Sequence, residues 1–96
     1  MEAGVFNEEG AGTLTVIHSK KTEPLRQCVQ DAMRRYFNHL DGHGASNLYR
    51  LVMTEVEAPL LESVMQYSGG NQTRAATLLG ISRSTLRKKL SQYGLD

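Results

Sequence analysis

The stretch that decides the fold is NQTRAATLLGISRSTLRKKL, which runs from Asn71 to Leu90. Asn71 is a typical N-cap residue, and the residues that follow it favour a helix with small alanines in its middle. Gly80 supplies the backbone conformation that ends this helix, and Ser82 is suited to cap a second one. The stretch is therefore predicted to form two short helices that are joined by a tight turn.

The second of these helices is predicted to have one apolar and one basic face. Leu86 and Leu90 lie four residues apart, so both should face the first helix, whose small residues allow a close crossing. Arg83 and Arg87 have the same spacing and therefore share a different face. This pattern is typical of a helix-turn-helix, whose second helix enters a DNA major groove. The alternative is an αα-hairpin whose basic side chains only solvate its surface.

The distribution of charge favours the DNA-binding interpretation. Residues 71–96 contain five basic side chains and one acid, whereas residues 1–70 contain six basic and nine acidic side chains. The formal charge is therefore +4 in the first of these segments and −3 in the second, in agreement with +1 for the whole chain. Pattern and charge together predict that the C-terminal part binds double-stranded DNA.

Length and composition predict one small helical domain. The chain has 96 residues, of which 40% are hydrophobic and 6% aromatic, so its core must be small. Its one cysteine, Cys28, excludes an internal disulfide, fits a reducing cytoplasm and is most simply a small buried hydrophobe. Because we find no apolar run of membrane-spanning length and no signal-peptide pattern, we expect a soluble cytoplasmic protein without a membrane partner.

Residues 1–22 are predicted to form a flexible N-terminal arm. Met1 to Gly12 include three glycines and three glutamates and little that could be buried, so we expect this part to be mobile. Thr13 to Ile17 form a short β-prone run. The residues alone leave open whether this run is one strand, half of a hairpin or an arm that orders only on a partner.

A first long helix is predicted near residues 25–40. Pro24 fits the first turn of this helix, with Thr22 or Glu23 as its cap. Apolar residues then recur at intervals of three and four, which is typical of an amphipathic helix, until a glycine-rich turn at residues 41–44.

A second long helix, near residues 47–68, is predicted to be apolar on two sides. Such a helix must be covered on both sides, and a second subunit is the simplest source of cover for so short a chain. Pro59 lies in its middle and marks either a kink or a helix boundary, and the continuous apolar pattern favours one kinked helix. The predicted dimer contacts are Val52, Val56, Leu60, Leu61, Val64 and Met65.

The predicted architecture is all-α, with four helices and the flexible arm. Residues 23–70 are assigned to dimerisation, and residues 71–96 to the helix-turn-helix, with helices near 72–79 and 83–92. The alternative function is that of a helical adaptor, or an isolated helix-turn-helix module of the NtrC type, whose basic end binds a protein. An enzyme subunit is the least favoured class.

The chain resembles a known family. The stretch from Asn71 to Leu90 resembles the C-terminal helix-turn-helix that Fis shares with the NtrC-type enhancer-binding activators. The resemblance to Fis continues over roughly residues 23 to 95, with motifs in the same order. These motifs are Pro24-Leu25-Arg26, Tyr36-Phe37, Leu48-Tyr49, Glu55-Val56-Glu57, Pro59-Leu60-Leu61 and Met65-Gln66-Tyr67.

The resemblance to Fis implies a nucleoid-associated global transcription regulator. It implies an intertwined homodimer whose two recognition helices are closer together than successive major grooves of straight DNA. Binding would then bend the DNA and compress its central minor groove, with a preference for A/T-rich centres. An RNA polymerase or a recombinase is a further partner that the resemblance implies.

The resemblance also assigns site residues. Arg83 matches the arginine that reads a guanine through its O6 and N7 acceptors. The remaining groove contacts that it implies are Ser82, Ser84, Arg87 and Lys88. The implied phosphate contacts are Asn71, Gln72, Thr73, Arg74, Thr85 and Lys89.

The chain departs from the Fis pattern at several positions. Ser82 stands where an asparagine is common, Ser91-Gln92 replaces a pair of lysines, and Gly69 replaces an arginine. Fewer flanking cations predict weaker wrapping of outer DNA and a shallower dependence of affinity on salt. Between Leu14 and Pro24 the chain is several residues shorter and does not match, which argues against stimulation of site-specific DNA inversion.

No other chemistry is predicted. His39 and His43 have the spacing of a helical metal pair, but Gly42 and Gly44 interrupt the helix that would hold them and a third ligand is not evident. The sequence has no phosphate-binding glycine loop and no nucleophile with a matching base. We therefore predict no metal, no cofactor and no enzymatic activity.

Overall fold

The computed structural model describes residues 4–7, 14–18, 21–40, 44 and 46–96. The chain divides into two compact units, Met1–Ala45 and Ser46–Asp96, which are described in turn. This division reflects contacts within one chain, whereas the arm, the dimerisation region and the DNA-binding region are functional assignments. Those three assignments stay predictions.

The first unit contains a three-stranded antiparallel sheet. Its strands are β1 (Gly4–Asn7), β2 (Leu14–His18) and β3 (Lys21–Pro24), and β2 lies between the other two. The β-prone run of the sequence thus becomes the central strand. Gly4–Asn7, which belongs to the predicted flexible arm, pairs with β2 along its whole length. The other residues of the segment from Met1 to Gly12, for which mobility is predicted, lie outside the described residues.

The first unit continues with helix α1 (Leu25–Asn38), which confirms the first predicted long helix. Thr22 and Glu23 belong to β3, so neither caps the helix, and Pro24 is both the last residue of β3 and the N-cap residue. The Cys28 thiol is half-buried and donates a hydrogen bond of 3.2 Å to Oε1 of Glu23. Cys28 is thus more polar in its contacts than a simple buried hydrophobe.

The apolar face of α1 is open in the single chain. None of its described residues is buried, and Val29 and Phe37 are 37% and 52% exposed. An amphipathic helix with an uncovered apolar face gains free energy when another apolar surface covers it.

The second unit begins with helix α2 (Leu48–Tyr67), which contains Pro59 in its interior. The prediction of a single helix across Pro59 is confirmed, and the alternative of a helix boundary is wrong. A proline removes one backbone donor, and α2 nevertheless continues from Leu48 to Tyr67.

Helices α3 (Gln72–Leu79) and α4 (Arg83–Gln92) follow with the predicted caps. Oδ1 of Asn71 accepts a hydrogen bond of 3.0 Å from the backbone of Arg74, and Oγ of Ser82 accepts one of 3.1 Å from that of Thr85. Each bond satisfies an otherwise unpaired N–H of a first helical turn. Within the described residues the structure has four helices, so the all-α class is confirmed.

The turn between α3 and α4 depends on Gly80, whose φ is +74°. Gly80 donates its backbone N–H to the carbonyl of Thr77, and Ile81 donates to the carbonyl of Ala76. These two bonds form the Schellman arrangement, which requires a left-handed residue after the helix and therefore favours glycine. The local sequence thus fixes where α3 ends and where α4 can begin.

The buried apolar cluster of the described residues lies where α2, α3 and α4 meet. It consists of Leu61, Ala75, Ala76, Leu86 and Leu90. The two alanines are 0% and 4% exposed, so α3 approaches the leucines of the neighbouring helices closely. The predicted inward positions of Leu86 and Leu90 are confirmed, because both are fully buried.

Three of the predicted dimer contacts on α2 pack against the buried cluster of their own chain. Leu61 is only 2% exposed in the single chain, because α3 and α4 already cover it. Val64 and Met65 are half-buried and pack against the same cluster. This side of α2 is therefore covered at least in part by α3 and α4 of its own chain, and contact of Val64 and Met65 with a second subunit stays a prediction.

The other apolar side of α2 is open. Val56 and Leu60 are 43% and 47% exposed, Val52 is half-buried, and Tyr49 and Met53 extend the same surface. The two-sided apolar pattern therefore has two different explanations, a helix-turn-helix on one side and an uncovered face on the other. Contact of Val52, Val56 and Leu60 with a second chain stays a prediction.

The buried cluster predicts a large loss of stability when Leu90 is truncated. Leu90→Ala removes a fully buried side chain and leaves a cavity, so we expect the free energy of unfolding to fall by about 2–5 kcal/mol. The control is Leu78→Ala on α3, where the side chain is 52% exposed and the loss should stay below about 1 kcal/mol. Chemical denaturation measures both, and equal losses would contradict the proposed core.

Candidate nucleic-acid interface

The exposed surface of α4 carries most of the predicted groove contacts. Leu86 and Leu90 fix the inner side of the helix by their burial. Because successive residues of an α-helix are rotated by about 100°, the residues that follow each leucine lie away from that inner side. The exposed predicted groove residues of this helix are Arg83, Ser84, Arg87 and Lys88.

A cleft between α3 and α4 joins the two sets of predicted contacts. It has a volume of about 430 Å³. Gln72, a predicted phosphate contact, lines it together with Ser84, Arg87 and Lys88 of α4. Asp96 also lines this cleft and is the one acidic residue among its walls. The arrangement offers an anion two cationic side chains and the N-terminal region of α3, where helix dipole and free N–H groups favour negative charge.

The two N-cap side chains are partly engaged within the chain. Ser82, a predicted groove contact, accepts the capping bond and also donates from Oγ to Oγ1 of Thr85 at 2.9 Å. Asn71, a predicted phosphate contact, uses Oδ1 for its capping bond to Arg74. Contact with DNA would therefore use the remaining hydrogen-bonding capacity of these groups. Thr73 and Thr85 are exposed.

Arg74 is placed by an aromatic neighbour. Its guanidinium carbon lies 5.4 Å from the centre of the Tyr67 ring, at the end of α2. A cation at this distance from an aromatic face is attracted by the electrons of the ring. Tyr67 is 71% exposed, so the pair lies at the surface beside the start of α3. The ring restricts the position of a predicted phosphate contact.

Lys89 lies on a different side of α4 from Arg87. Two residues turn an α-helix by about 200°, so the two side chains point in nearly opposite directions. Nζ of Lys89 donates a hydrogen bond of 2.7 Å to Oε2 of Glu57, and the hydroxyl of Tyr93 donates one of 2.6 Å to Oε1. The structure therefore places Lys89 in a pair with α2 rather than with the other predicted DNA contacts.

The Glu57 cluster shifts the pKa values of its three members. The hydrogen bond from Lys89, followed by that from Tyr93, holds the pKa of Glu57 below its ordinary value of 4.5. The hydrogen bond to Glu57 raises the pKa of Lys89 above 10.5 and, with burial, that of Tyr93 above 10.0. The three shifts share one main cause, which is that the ionised carboxylate of Glu57 accepts hydrogen bonds from a cation and a hydroxyl.

Sequence reasoning missed the partners of the basic residues. Glu57 and Tyr67 entered the sequence analysis only as parts of motifs that the chain shares with Fis. Glu57 lies 32 positions before Lys89 and 36 before Tyr93, beyond the reach of any helical spacing rule. One signal in the sequence could have indicated these partners. Glu57 is an acidic residue on the side of α2 that faces the helix-turn-helix.

Neither a metal site nor a membrane-spanning helix is found among the described residues. Among them, no group of three or more histidine, cysteine, aspartate or glutamate side chains could hold a metal ion. His39 is described and bonds through Nδ1 to the carbonyl of Arg35, whereas His43 lies outside the described residues. A search of the described helices finds none that is long and apolar enough to cross a membrane.

Two family models match the chain. Residues 52–93 match the bacterial regulatory protein, Fis family, and residues 2–45 match the DNA-binding protein Fis N-terminal domain. The second match includes the arm, which the sequence analysis set apart from the family. The similarity to the family therefore extends further towards the N-terminus than residues 23–95, on which the resemblance was based, and the shortened segment between Leu14 and Pro24 stays a prediction.

Curated relatives are similar over most of their length. The chain is 52% identical over 92 residues to the DNA-binding protein Fis of Pasteurella multocida, which covers 93% of each chain. It is 51% identical over 92 residues to that of Histophilus somni, with 93% of this chain and 94% of the relative covered. For the Yersinia enterocolitica protein the identity is 57% over 74 residues, covering 77% of this chain and 76% of the relative.

The lowered pKa of Glu57 predicts an acid-dependent loss of stability. Because the folded chain binds the Glu57 proton less readily than the unfolded chain, the carboxylate stabilises the fold above pH 4.5 and loses this effect as the pH falls through its lower folded value. We expect wild type to be more stable than Glu57→Gln at neutral pH, and the difference to shrink below pH 4.5.

Thermal unfolding as a function of pH measures this difference. The control is Glu62→Gln, which removes the same charge from an exposed position of the same helix. A difference between wild type and Glu57→Gln that does not change with pH would contradict the assigned pair.

Proposed function

Because this chain belongs to the Fis family of bacterial regulatory proteins, we propose that it is a homodimeric, nucleoid-associated transcription regulator that binds and bends double-stranded DNA. The observation that carries the proposal is the exposed basic surface of α4, which is opposite its buried leucines. DNA binding is also the property that the names of the relatives state.

The proposed binding mode places α4 in the major groove. Arg83, in the first turn of α4, would reach the O6 and N7 acceptors of a guanine. Arg87 and Lys88 would contact the groove and the adjacent phosphates, and Ser82 and Ser84 the base edges at the start of the helix. The phosphate contacts at the start of α3 would be Asn71, Gln72, Thr73 and Arg74.

The proposed dimer forms through the uncovered apolar surfaces. In the single chain both α1 and the Val56 side of α2 lack cover, and the buried cluster of the second unit is small. A second copy of the chain would cover these surfaces and present two recognition helices to one duplex. Helices at a fixed separation would require the DNA to bend, which A/T-rich centres permit more readily than G/C-rich centres.

The remaining assignments follow from this role. We propose a location in the cytoplasm on the nucleoid and no enzymatic activity. An RNA polymerase or a recombinase as a further partner is supported by the resemblance alone. The alternative, a helical adaptor that binds protein through α4, is less favoured because the relatives are named as DNA-binding proteins.

Removal of Arg87 tests the DNA-binding surface. Arg87→Ala deletes an exposed cation of α4 in both copies, so we expect affinity for a short duplex to fall by about tenfold or more. Arg26→Ala, at an exposed position of α1, is the matched control and should change affinity little. Fluorescence anisotropy with a labelled duplex measures both.

The salt dependence of the same titrations separates the two functions. Wild-type affinity should fall linearly with the logarithm of salt concentration, with a slope of about −0.9 per phosphate contact. If wild type does not bind at low salt, the DNA-binding proposal fails and the adaptor alternative takes its place. Equal affinities of Arg87→Ala and wild type would reject the assigned surface.

A charge on the open side of α2 tests the dimer. Leu60→Asp places a carboxylate in the proposed interface, where it would be buried without a partner, so we expect a monomer at micromolar concentration. Leu78→Asp on α3, where the leucine is 52% exposed, makes the same substitution outside the interface and should leave a dimer. Light scattering gives the two masses. A wild-type monomer would reject the dimer outright.

A further inference from the structure

The Glu57 cluster joins the helix with the open apolar side to the helix with the basic surface. Glu57 lies on α2, and its two carboxylate oxygens accept hydrogen bonds from Lys89 and Tyr93 near the end of α4. The side chains of Glu57 and Lys89 are 18% and 34% exposed, so the contact is partly shielded from water. A shielded, charge-assisted pair of bonds is stronger and more directional than one in open solvent.

Directional bonds add a constraint that the apolar packing of α4 lacks. Leu86 and Leu90 hold the inner side of α4 by contacts that depend on burial and hardly on direction. Such contacts fix which side of α4 is covered, and directional bonds add to this constraint. Two short hydrogen bonds to the two oxygens of one carboxylate fix both the rotation of α4 and its position along α2.

The same turn of α2 faces the proposed partner chain. Val56 directly precedes Glu57, and Leu60 follows it by three positions. Both side chains are exposed. In a two-fold dimer that forms through these residues, each α2 is held against its counterpart. The orientation of α4 on its own α2 then sets the distance and angle between the two copies of α4.

We propose that Glu57 is a positioning residue, which through Lys89 and Tyr93 holds α4 at a fixed orientation on α2 and thereby sets the separation of the two recognition helices. This inference rests on the proposed function, since it concerns how the dimer selects deformable DNA. A rigid pair of recognition helices makes the DNA bend to fit. A loosely held pair adapts to the DNA, and a stiff centre is then penalised less.

The test compares duplexes that differ only in their central base pairs. The full-length chain is titrated against one duplex with an A/T-rich centre and one with a G/C-rich centre, with identical flanks. The preference is the ratio of the two dissociation constants. The bend of each bound duplex is followed by energy transfer between dyes at its ends.

Three variants are compared with wild type. Glu57→Ala removes the carboxylate and both hydrogen bonds, Tyr93→Phe removes one bond and keeps the ring, and Glu62→Ala removes a carboxylate from an exposed position of α2. We expect Glu57→Ala to reduce the preference for the A/T-rich centre by about three- to tenfold, because part of the net contribution of its two hydrogen bonds is lost to the positioning of α4. The bend should decrease in the same variant.

The milder variants set the expected order of effects. Tyr93→Phe should reduce the preference less than Glu57→Ala, and Glu62→Ala should retain that of wild type. A role of Glu57 in stability alone would lower the melting temperature and leave the preference of the folded dimer unchanged. That outcome, for Glu57→Ala or for Tyr93→Phe, overturns the inference.

Loss of the fold in one variant does not remove the test. If circular dichroism finds Glu57→Ala unfolded, the ratio of the two dissociation constants is measured for Glu57→Gln and Tyr93→Phe instead. Both substitutions keep the approximate size of the original side chain. Failure of the proposed function is recognised separately, since wild type itself would then not bind, not dimerise or not distinguish the two centres. In that case the inference falls with it.

Discussion

The structure of the second unit depends on the burial of Leu86 and Leu90 against the two alanines of α3. Alanine side chains are short enough to let the helices approach, and the leucines fill the space between α4 and Leu61 of α2. The direction in which the basic side chains of α4 point follows from this contact. Because the leucines fix the inner side of α4, Arg83, Arg87 and Lys88 on the opposite side are exposed to solvent.

This cluster is small, and its size has a consequence for the rest of the chain. Five buried apolar residues form the core of the described part, while α1 and one side of α2 keep large apolar side chains in solvent. A short chain has too little interior to cover all of its apolar surface. The small interior that leaves one side of α2 uncovered thus supports the proposal of a second copy of the chain. In that proposal DNA recognition requires the dimer, because the dimer presents both recognition helices.

Polar contacts between helices decide how the cationic side chains are used. Arg87 and Lys88 line an open cleft, Arg74 lies over the ring of Tyr67, and Lys89 is paired with Glu57. These environments differ although all four residues belong to one basic stretch of sequence. A cation in open solvent is available to a phosphate, whereas a cation already paired with a carboxylate must exchange one anion for another.

The sequence by itself determined the local structure of the recognition region. Asn71, Gly80 and Ser82 could be assigned from their own chemistry, because caps and turns are made by atoms a few residues apart. The spacing of the leucines likewise determined which side of α4 is buried. The apolar pattern around Pro59 predicted one continuous helix. The stretch from Asn71 to Leu90 also indicated the family, because the resemblance begins with its residues.

Tertiary structure alone decided the contacts between distant residues. Leu61 is covered by its own chain, Lys89 is paired with Glu57, and Gly4–Asn7 forms a strand beside β2. A helical pattern gives the directions in which side chains point, but it does not identify the residues that they contact. Which of the two apolar sides of α2 meets α3 and α4, and which cation meets an acid, depends on how the helices pack, because those partners are brought together only by the fold.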